Sequence, residues 1–156
     1  MTSLCCDVLT VLKGKTLVTA ESLTGGGIGA ALTGISGSSA VYKGGVICYT
    51  NWVKENILGV PGEILDRYGA VSEPVARAMA EGVHRLLQAD ISISVTGLAG
   101  PGGDDYGNPV GTVCIGYRDG VGSEVRTHHF SGDREAVRRQ TVEAALKLVL
   151  EMQKSR

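Results

Sequence analysis

Apolar positions along the 156-residue chain change period several times, and each change predicts an element. Leu4, Val8, Leu9, Val11 and Leu12 recur at helical spacing and stop at Gly14, so an amphipathic helix opens the chain. Thr16 to Ala20 is a short β-branched and apolar run, the first strand. It ends at Glu21 and Ser22 and gives way to Gly25, Gly26 and Gly27; Ile28 to Thr33 then reads as a short helix ending in the loop Gly34 to Ser39. Gly45 to Thr50 is nearly continuous in apolar residues, the pattern of a strand covered on both faces. Asn51 to Leu58 follows as a helix closed by Gly59 and Pro61, and Glu63 to Tyr68 adds one or two helical turns. Ser72 caps a longer helix that tolerates Pro74 in its first turn and lines up Val75, Met79, Val83, Leu86 and Leu87.

Ile91 to Thr96 alternates as a third strand and runs into Gly97, Gly100, Pro101, Gly102 and Gly103. Val110 to Tyr117 and Ser123 to Phe130 flank an Asp119-Gly120 turn and predict an antiparallel hairpin. Ser131 or Asp133 opens the last helix, whose buried stripe is Val137, Val142, Ala145, Leu148, Val149 and Met152. Strands joined through helices, followed by a hairpin, give an α/β fold: a three-layer α/β/α domain with a mixed, mostly parallel central sheet of about five strands and ligand loops at the strand ends. Residues 1–156 read as a single domain, long enough to bury a core and without a linker.

Charge and composition narrow the function. Formal net charge is -1 with no block of like charges, which argues against a nucleic-acid partner or a basic membrane face. Neither an export signal nor 18 consecutive apolar residues is readable, so the expected location is cytoplasmic. Cys5, Cys6, Cys48 and Cys114 lack C-x-x-C spacing and read as buried thiols rather than a disulfide frame. His84 stands alone, while His128 and His129, adjacent in a strand, face opposite ways; Asp104 and Asp105 read as a solvated loop. No metal site is expected.

The richest stretch is TLVTAESLTGGGIG at 16 to 29. A strand opening into a helix through glycines leaves backbone N–H groups at the helix N-terminus, a natural anion site, and glycine lets a ligand approach the backbone. No Gly-Lys-Ser/Thr follows, so it is not a Walker loop. Ser22 and Thr24 lie in this loop, Ser38 and Ser39 in the next, and Tyr49 and Lys54 bracket the end of the second strand. A lysine partly buried among apolar groups has a lowered pKa, and its neutral amine takes a serine proton; Tyr49 would orient or relay it, and loop N–H groups would hold the oxyanion. Arg134 and Arg138, four apart at the start of the last helix, share a face that suits a phosphate. Plainer readings compete: a solvated lysine, turn serines, and an exposed charged face that also carries Glu135 and Arg139. Together the residues describe a pocket for a phosphorylated metabolite, with a serine acyl-transfer site.

AESLTGG at 20 to 26, GSSAVY at 37 to 42, the Tyr49 and Lys54 spacing, GAVSE at 69 to 73, TGLAGPGG at 96 to 103, PVGTV at 109 to 113 and GDRE at 132 to 135 together resemble the CinA C-terminal domain family, in the family's order and over nearly the whole chain. The family includes stand-alone nicotinamide-nucleotide amidohydrolases, or NMN deamidases. The resemblance implies hydrolysis of nicotinamide mononucleotide to nicotinate mononucleotide and ammonia, in salvage of pyridine nucleotides. Carried over, Ser39 is the expected nucleophile with Ser22 competing for the role, Lys54 the base and Tyr49 its helper. Thr24, Gly25 and Gly26 would line the pocket; Thr96, Gly97 and Gly100 would contact the nucleotide or form the oxyanion site; Arg134 would meet the phosphate. No cofactor or metal is required, and the expected partners are a small nucleotide substrate and further copies of the chain in a homo-oligomer. Leu23 stands where the family commonly has cysteine, and Asn108 where a lysine often precedes PVGTV. The larger family members carry an additional N-terminal domain for nucleotide-pyrophosphate hydrolysis, an activity not expected here. Two other readings remain: a non-catalytic nucleotide-binding regulatory module, and an amidase for a different phosphorylated amide.

Overall fold

The computed structural model describes residues 1–156. Five strands form one sheet: β1 (Leu17–Glu21), β2 (Tyr42–Ile47), β3 (Ile91–Gly97), β4 (Thr112–Arg118) and β5 (Ser123–His129), in the spatial order β2-β1-β3-β4-β5. Both neighbours of β1 run parallel to it, whereas β4 is antiparallel to β3 and to β5. Four of the five strands therefore point the same way, as the mixed, mostly parallel sheet predicted.

Six α-helices cover the two faces: α1 (Thr2–Val11), α2 (Gly27–Thr33), α3 (Asn51–Asn56), α4 (Gly62–Tyr68), α5 (Glu73–Leu87) and α6 (Arg134–Lys154). Leu17 of β1 joins α1, α2 and α6 in one hydrophobic cluster, which also takes Ile91, Ile93, Val95, Val113 and Ile115 from the sheet. Val18 and Ala20 point the other way, into a second cluster with Leu65 of α4 and Val75, Met79 and Val83 of α5. The two-residue period of a strand thus divides β1 between two cores. No helix is long and apolar enough to cross a membrane.

Two strands differ from expectation. β2 begins three residues early, at Tyr42, and ends at Ile47. The pattern of apolar residues starts the strand only at Gly45, but parallel pairing of Leu17 with Tyr42 and of Val18 with Gly44 extends it back to Tyr42. The absence of a side chain at Gly45 leaves room for Thr19, whose Oγ1 would collide with a Cβ there. β2 is also an edge strand, half-buried and exposed by turns, so its apolar run does not signify burial on both faces. β3 shows the reverse: its alternating serines are not on a wet face. Ser92 and Ser94 are buried and donate to the carbonyls of Ala80 (2.7 Å) and Ala76 (2.6 Å) in α5. Alternation in β3 marks which face meets helix backbone, not which meets water.

Helix termini follow the sequence. Ser72 Oγ accepts from the Val75 N–H, with Pro74 in the first turn, and Asp133 rather than Ser131 caps α6 by accepting from the Ala136 N–H at 2.9 Å. All four cysteines are free, with Cys5, Cys48 and Cys114 buried. Beyond the hairpin, Tyr117 donates to Asp119, which also binds Arg156 and the N–H groups of Val121 and Gly122, tying the end of α6 to the β4–β5 turn.

Candidate active site

The parallel strands β1, β2 and β3 end side by side, and the loops that follow them enclose a pocket of about 320 Å³. This is the position where α/β sheets generally hold ligands. Ser22, Lys54, Tyr49, Thr96, Gly97, Gly100 and Arg134 all line it. Larger surface grooves exist, about 570 Å³ beside α4 and α5 and about 520 Å³ between β5 and α6. Neither contains a hydroxyl paired with an amine.

Ser22 follows β1 directly. Its N–H donates to Val95 of β3, while the Glu21 carbonyl accepts from Cys48 after β2, so the backbone is held from both sides. Strand alternation turns the Glu21 side chain towards α2 and leaves Ser22 on the α3 side. There Lys54 Nζ lies 3.0 Å from Ser22 Oγ, 2.8 Å from the Cys48 carbonyl and 3.5 Å from the Tyr49 carbonyl. Lys54 is only 2% exposed and Ser22 6%. Burial pushes the Lys54 pKa below its ordinary value, opposed in part by Cys48, and no carboxylate pairs with the amine. Burial likewise pushes the Cys48 thiol up to about 11, leaving it protonated.

The three neighbours of Nζ set the geometry of the neutral amine. Two are carbonyls, which only accept; the third is a hydroxyl, which can donate. With its two N–H bonds directed at Cys48 and Tyr49, the amine turns its lone pair to the Ser22 O–H. That is the arrangement a general base needs.

Arg134, at the first turn of α6, crosses the pocket mouth. It donates to the Gly100 carbonyl at 2.6 Å and to the Tyr49 hydroxyl at 3.0 Å. Tyr49 is exposed and its hydroxyl faces Arg134; its carbonyl, not its ring, meets Lys54. The Thr96 hydroxyl is engaged with the Ala70 carbonyl at 2.8 Å and so fixes the pocket wall. Gly97 has no room for a side chain, since a Cβ would lie 2.7 Å from Val113 Cγ2 and 2.9 Å from the Thr112 carbonyl oxygen. The N–H groups of Leu23, Ala99 and Gly100, all residues of the wall, have no acceptor within the chain.

Several sequence expectations require correction. Ser39 does not meet Lys54 within the chain: it is exposed in a short 3-10 turn (Ser38–Ala40) that precedes β2, whereas Lys54 follows β2. Six residues of strand, roughly 20 Å, separate the two ends. Thr24, Gly25 and Gly26 do not line the pocket. Thr24 donates to buried Glu21 at 2.7 Å, and the two glycines, at φ +58° and +100°, form the turn into α2. Nor is the N-terminus of α2 an open anion site, because the Ile28 and Gly29 N–H groups already donate to Glu21. Arg138 does not join Arg134 at a phosphate position; its guanidinium binds the Leu23 and Thr24 carbonyls at 2.9 and 3.2 Å.

Asn51, Ala70 and Val71 also line the pocket, beyond the residues expected from the sequence. The GAVSE stretch was a signal for the last two, but nothing local told that Thr96 binds Ala70 across the sheet end. No three His, Cys, Asp or Glu side chains converge anywhere in the chain to hold a metal.

Residues 3–153 match the family model described as CinA C-terminal domain. A CinA-like protein of Parasynechococcus marenigrum (strain WH8102) is 52% identical over 149 residues, covering 92% of this chain and 35% of that protein. One from Geobacter sulfurreducens is 46% identical over 134 residues, covering 86% and 32%. The chain spans about a third of the length of these curated relatives. Among solved structures, a competence-damaged protein (CinA) superfamily protein from Klebsiella pneumoniae 700603 superposes with TM-score 0.93 at 36% identity, covering 99% of this chain and 96% of that one. The competence/damage inducible protein CihA from Agrobacterium tumefaciens gives 0.90 at 39% identity, covering 96% and 93%.

Proposed function

The chain belongs to the CinA C-terminal domain family, and from that premise we propose that it hydrolyses the carboxamide of nicotinamide mononucleotide, yielding nicotinate mononucleotide and ammonia. The observation that carries this reading is the buried Lys54–Ser22 pair at a pocket edged by Arg134. Neutral Lys54 takes the Ser22 proton as Oγ attacks the amide carbon. The oxyanion meets the Leu23 and Ala99 N–H groups. The resulting ammonium returns its proton to the departing amide nitrogen, which leaves as ammonia. Water then attacks the acyl-enzyme, Lys54 accepts its proton, and the proton passes to Ser22 as the acid is released.

Arg134 supplies the cation for the phosphate, and Tyr49 orients it through the 3.0 Å hydrogen bond. The chemistry draws on these side chains and backbone donors alone. Ile47 of the edge strand β2, Tyr49 after it, and Trp52 and Ile57 in and just after α3 are exposed apolar side chains; this supports self-association as a homo-oligomer, which light scattering tests. We propose the cytoplasm as the working compartment.

The test is ammonia release from nicotinamide mononucleotide by the purified protein with a chelator present, alongside calorimetric titration with the same nucleotide. Turnover supports the amidase. Nucleotide binding without ammonia identifies a regulatory binding module instead, and ammonia from another phosphorylated amide alone moves the substrate.

A further inference from the structure

Glu21 is a carboxylate at 2% exposure with no basic side chain against it. All four of its hydrogen bonds come from neutral donors: Thr24 Oγ1 (2.7 Å) and the Ile28 N–H (2.7 Å) to one oxygen, Thr19 Oγ1 (3.1 Å) and the Gly29 N–H (3.1 Å) to the other. A carboxylate offers about four lone-pair sites, so the group is filled. Burying a charge in this way is expensive unless the surroundings are built for it. Here they are built from β1, the glycine turn and the first residues of α2, the three pieces between which Ser22 sits. Tyr42 extends the network, its hydroxyl 2.8 Å from Thr19 Oγ1.

The outer side of the same turn is held by a second group. Arg138, exposed on α6, spans the Leu23 and Thr24 carbonyls with its Nε and Nη2. Leu23 carries one of the pocket's free N–H groups, and Thr24 is the residue that Glu21 grips from inside. The turn after Ser22 is therefore bound from below by an anion and from above by a cation, through different atoms of the same two or three residues.

Building on the amidase reading, we propose that Glu21 and Arg138 are positioning residues that clamp the Ser22–Thr24 turn, fixing the Ser22 hydroxyl on Lys54 and the Leu23 N–H on the oxyanion. Neither touches the substrate. A displacement of about 1 Å at a nucleophile costs on the order of a hundredfold in rate, so loosening either side lowers kcat and leaves KM largely alone.

The variants are Glu21→Gln, which keeps volume but turns an N–H₂ towards donors, and Arg138→Lys and Arg138→Ala on the exposed surface, where folding is not at risk. Kinetics on nicotinamide mononucleotide, its pH profile and the rate at which Ser22 is labelled by a fluorophosphonate are compared with the parent. The clamp predicts kcat and labelling rate down by roughly ten- to a hundredfold, KM within about twofold, and an unshifted rising pH limb because Lys54 is untouched. An unchanged kcat with a lowered melting temperature makes both groups merely structural and overturns the proposal. A raised KM at unchanged kcat in Arg138→Ala overturns it differently, by making Arg138 a substrate ligand. If the parent does not hydrolyse the nucleotide, the amidase reading falls and labelling of Ser22 decides the clamp: slower labelling in the variants sustains it, while equal labelling, or none in the parent, refutes it.

Discussion

Lys54 Nζ and Ser22 Oγ stand 3.0 Å apart although 32 residues separate them in the chain. They meet because β1 and β2 are parallel neighbours whose C-terminal ends release Ser22 and α3 into the same corner. The contact is buried, and the other two neighbours of the amine are carbonyls.

From that contact follows the first prediction. Lys54→Met, which fills the same space, loses about 10²- to 10⁴-fold in kcat, the usual range for a general base. Lys54→Arg loses as much, since a guanidinium stays protonated. Steady-state ammonia release measures both; turnover within threefold of the parent in the arginine variant excludes proton abstraction at this position.

The second prediction concerns pH. Burial lowers the Lys54 pKa from its ordinary 10.5, and only the neutral amine carries a lone pair, so kcat rises with pH through the lowered value and levels off before the ordinary lysine range. Stability moves in the same direction. Between the two pKa values the unfolded chain holds a proton that the folded chain has released, so unfolding free energy increases as pH rises across that window. Lys54→Met flattens this part of the curve. Urea midpoints taken at several pH values give the sign directly.

Arg134 and Tyr49 separate in a third experiment. Removing the guanidinium takes a cation from the pocket, and Arg134→Ala raises KM by about ten- to a hundredfold, the worth of a hydrogen bond to a charged group. Tyr49→Phe removes only the acceptor that steadies it and changes KM by less than about fivefold. An Arg134→Ala variant with unaltered KM places the phosphate elsewhere.

The corner was legible only in part. Residues 16 to 29 declared a strand, a glycine turn and a helix from period and composition alone, and Lys54 stood out as an amine near that strand's neighbour. Which serine it meets depends on where β2 starts and stops. A local reading begins β2 at Gly45; pairing with β1 begins it at Tyr42, and that strand carries Ser39 to the far end of the sheet. Glu21 was hidden for a related reason. Its neighbours Thr24, Ile28 and Gly29 suggested open donors for an anion, and the anion that takes them belongs to the chain. Arg138 had the spacing of a phosphate ligand, but helical spacing fixes a face and not what the face meets.

A fourth prediction lies far from the pocket. Burial alone would raise the Asp119 carboxyl; the Arg156 guanidinium, the Tyr117 hydroxyl and the Val121 and Gly122 N–H groups outweigh it and hold the pKa well below the usual carboxylate range. A depressed carboxylate stabilises the fold above its unfolded pKa, and that stability is lost as pH falls through the folded value. Asp119→Ala removes the acid-sensitive component and leaves the buried Tyr117 hydroxyl and two turn N–H groups short of a partner, at a cost of about 1–3 kcal/mol. Catalysis per folded molecule is unaffected. Urea unfolding at neutral and at acid pH reads the difference between parent and variant, which closes in acid.

The most direct measurement compares Ser22→Ala with Ser39→Ala for ammonia release from nicotinamide mononucleotide, with the acylated residue identified by mass spectrometry after fluorophosphonate labelling. Loss of turnover and label in Ser22→Ala, with both retained within about twofold in Ser39→Ala, is the result expected when Ser22 is the nucleophile that Lys54 activates. Turnover surviving in Ser22→Ala and lost in Ser39→Ala, with the label on Ser39, would contradict it.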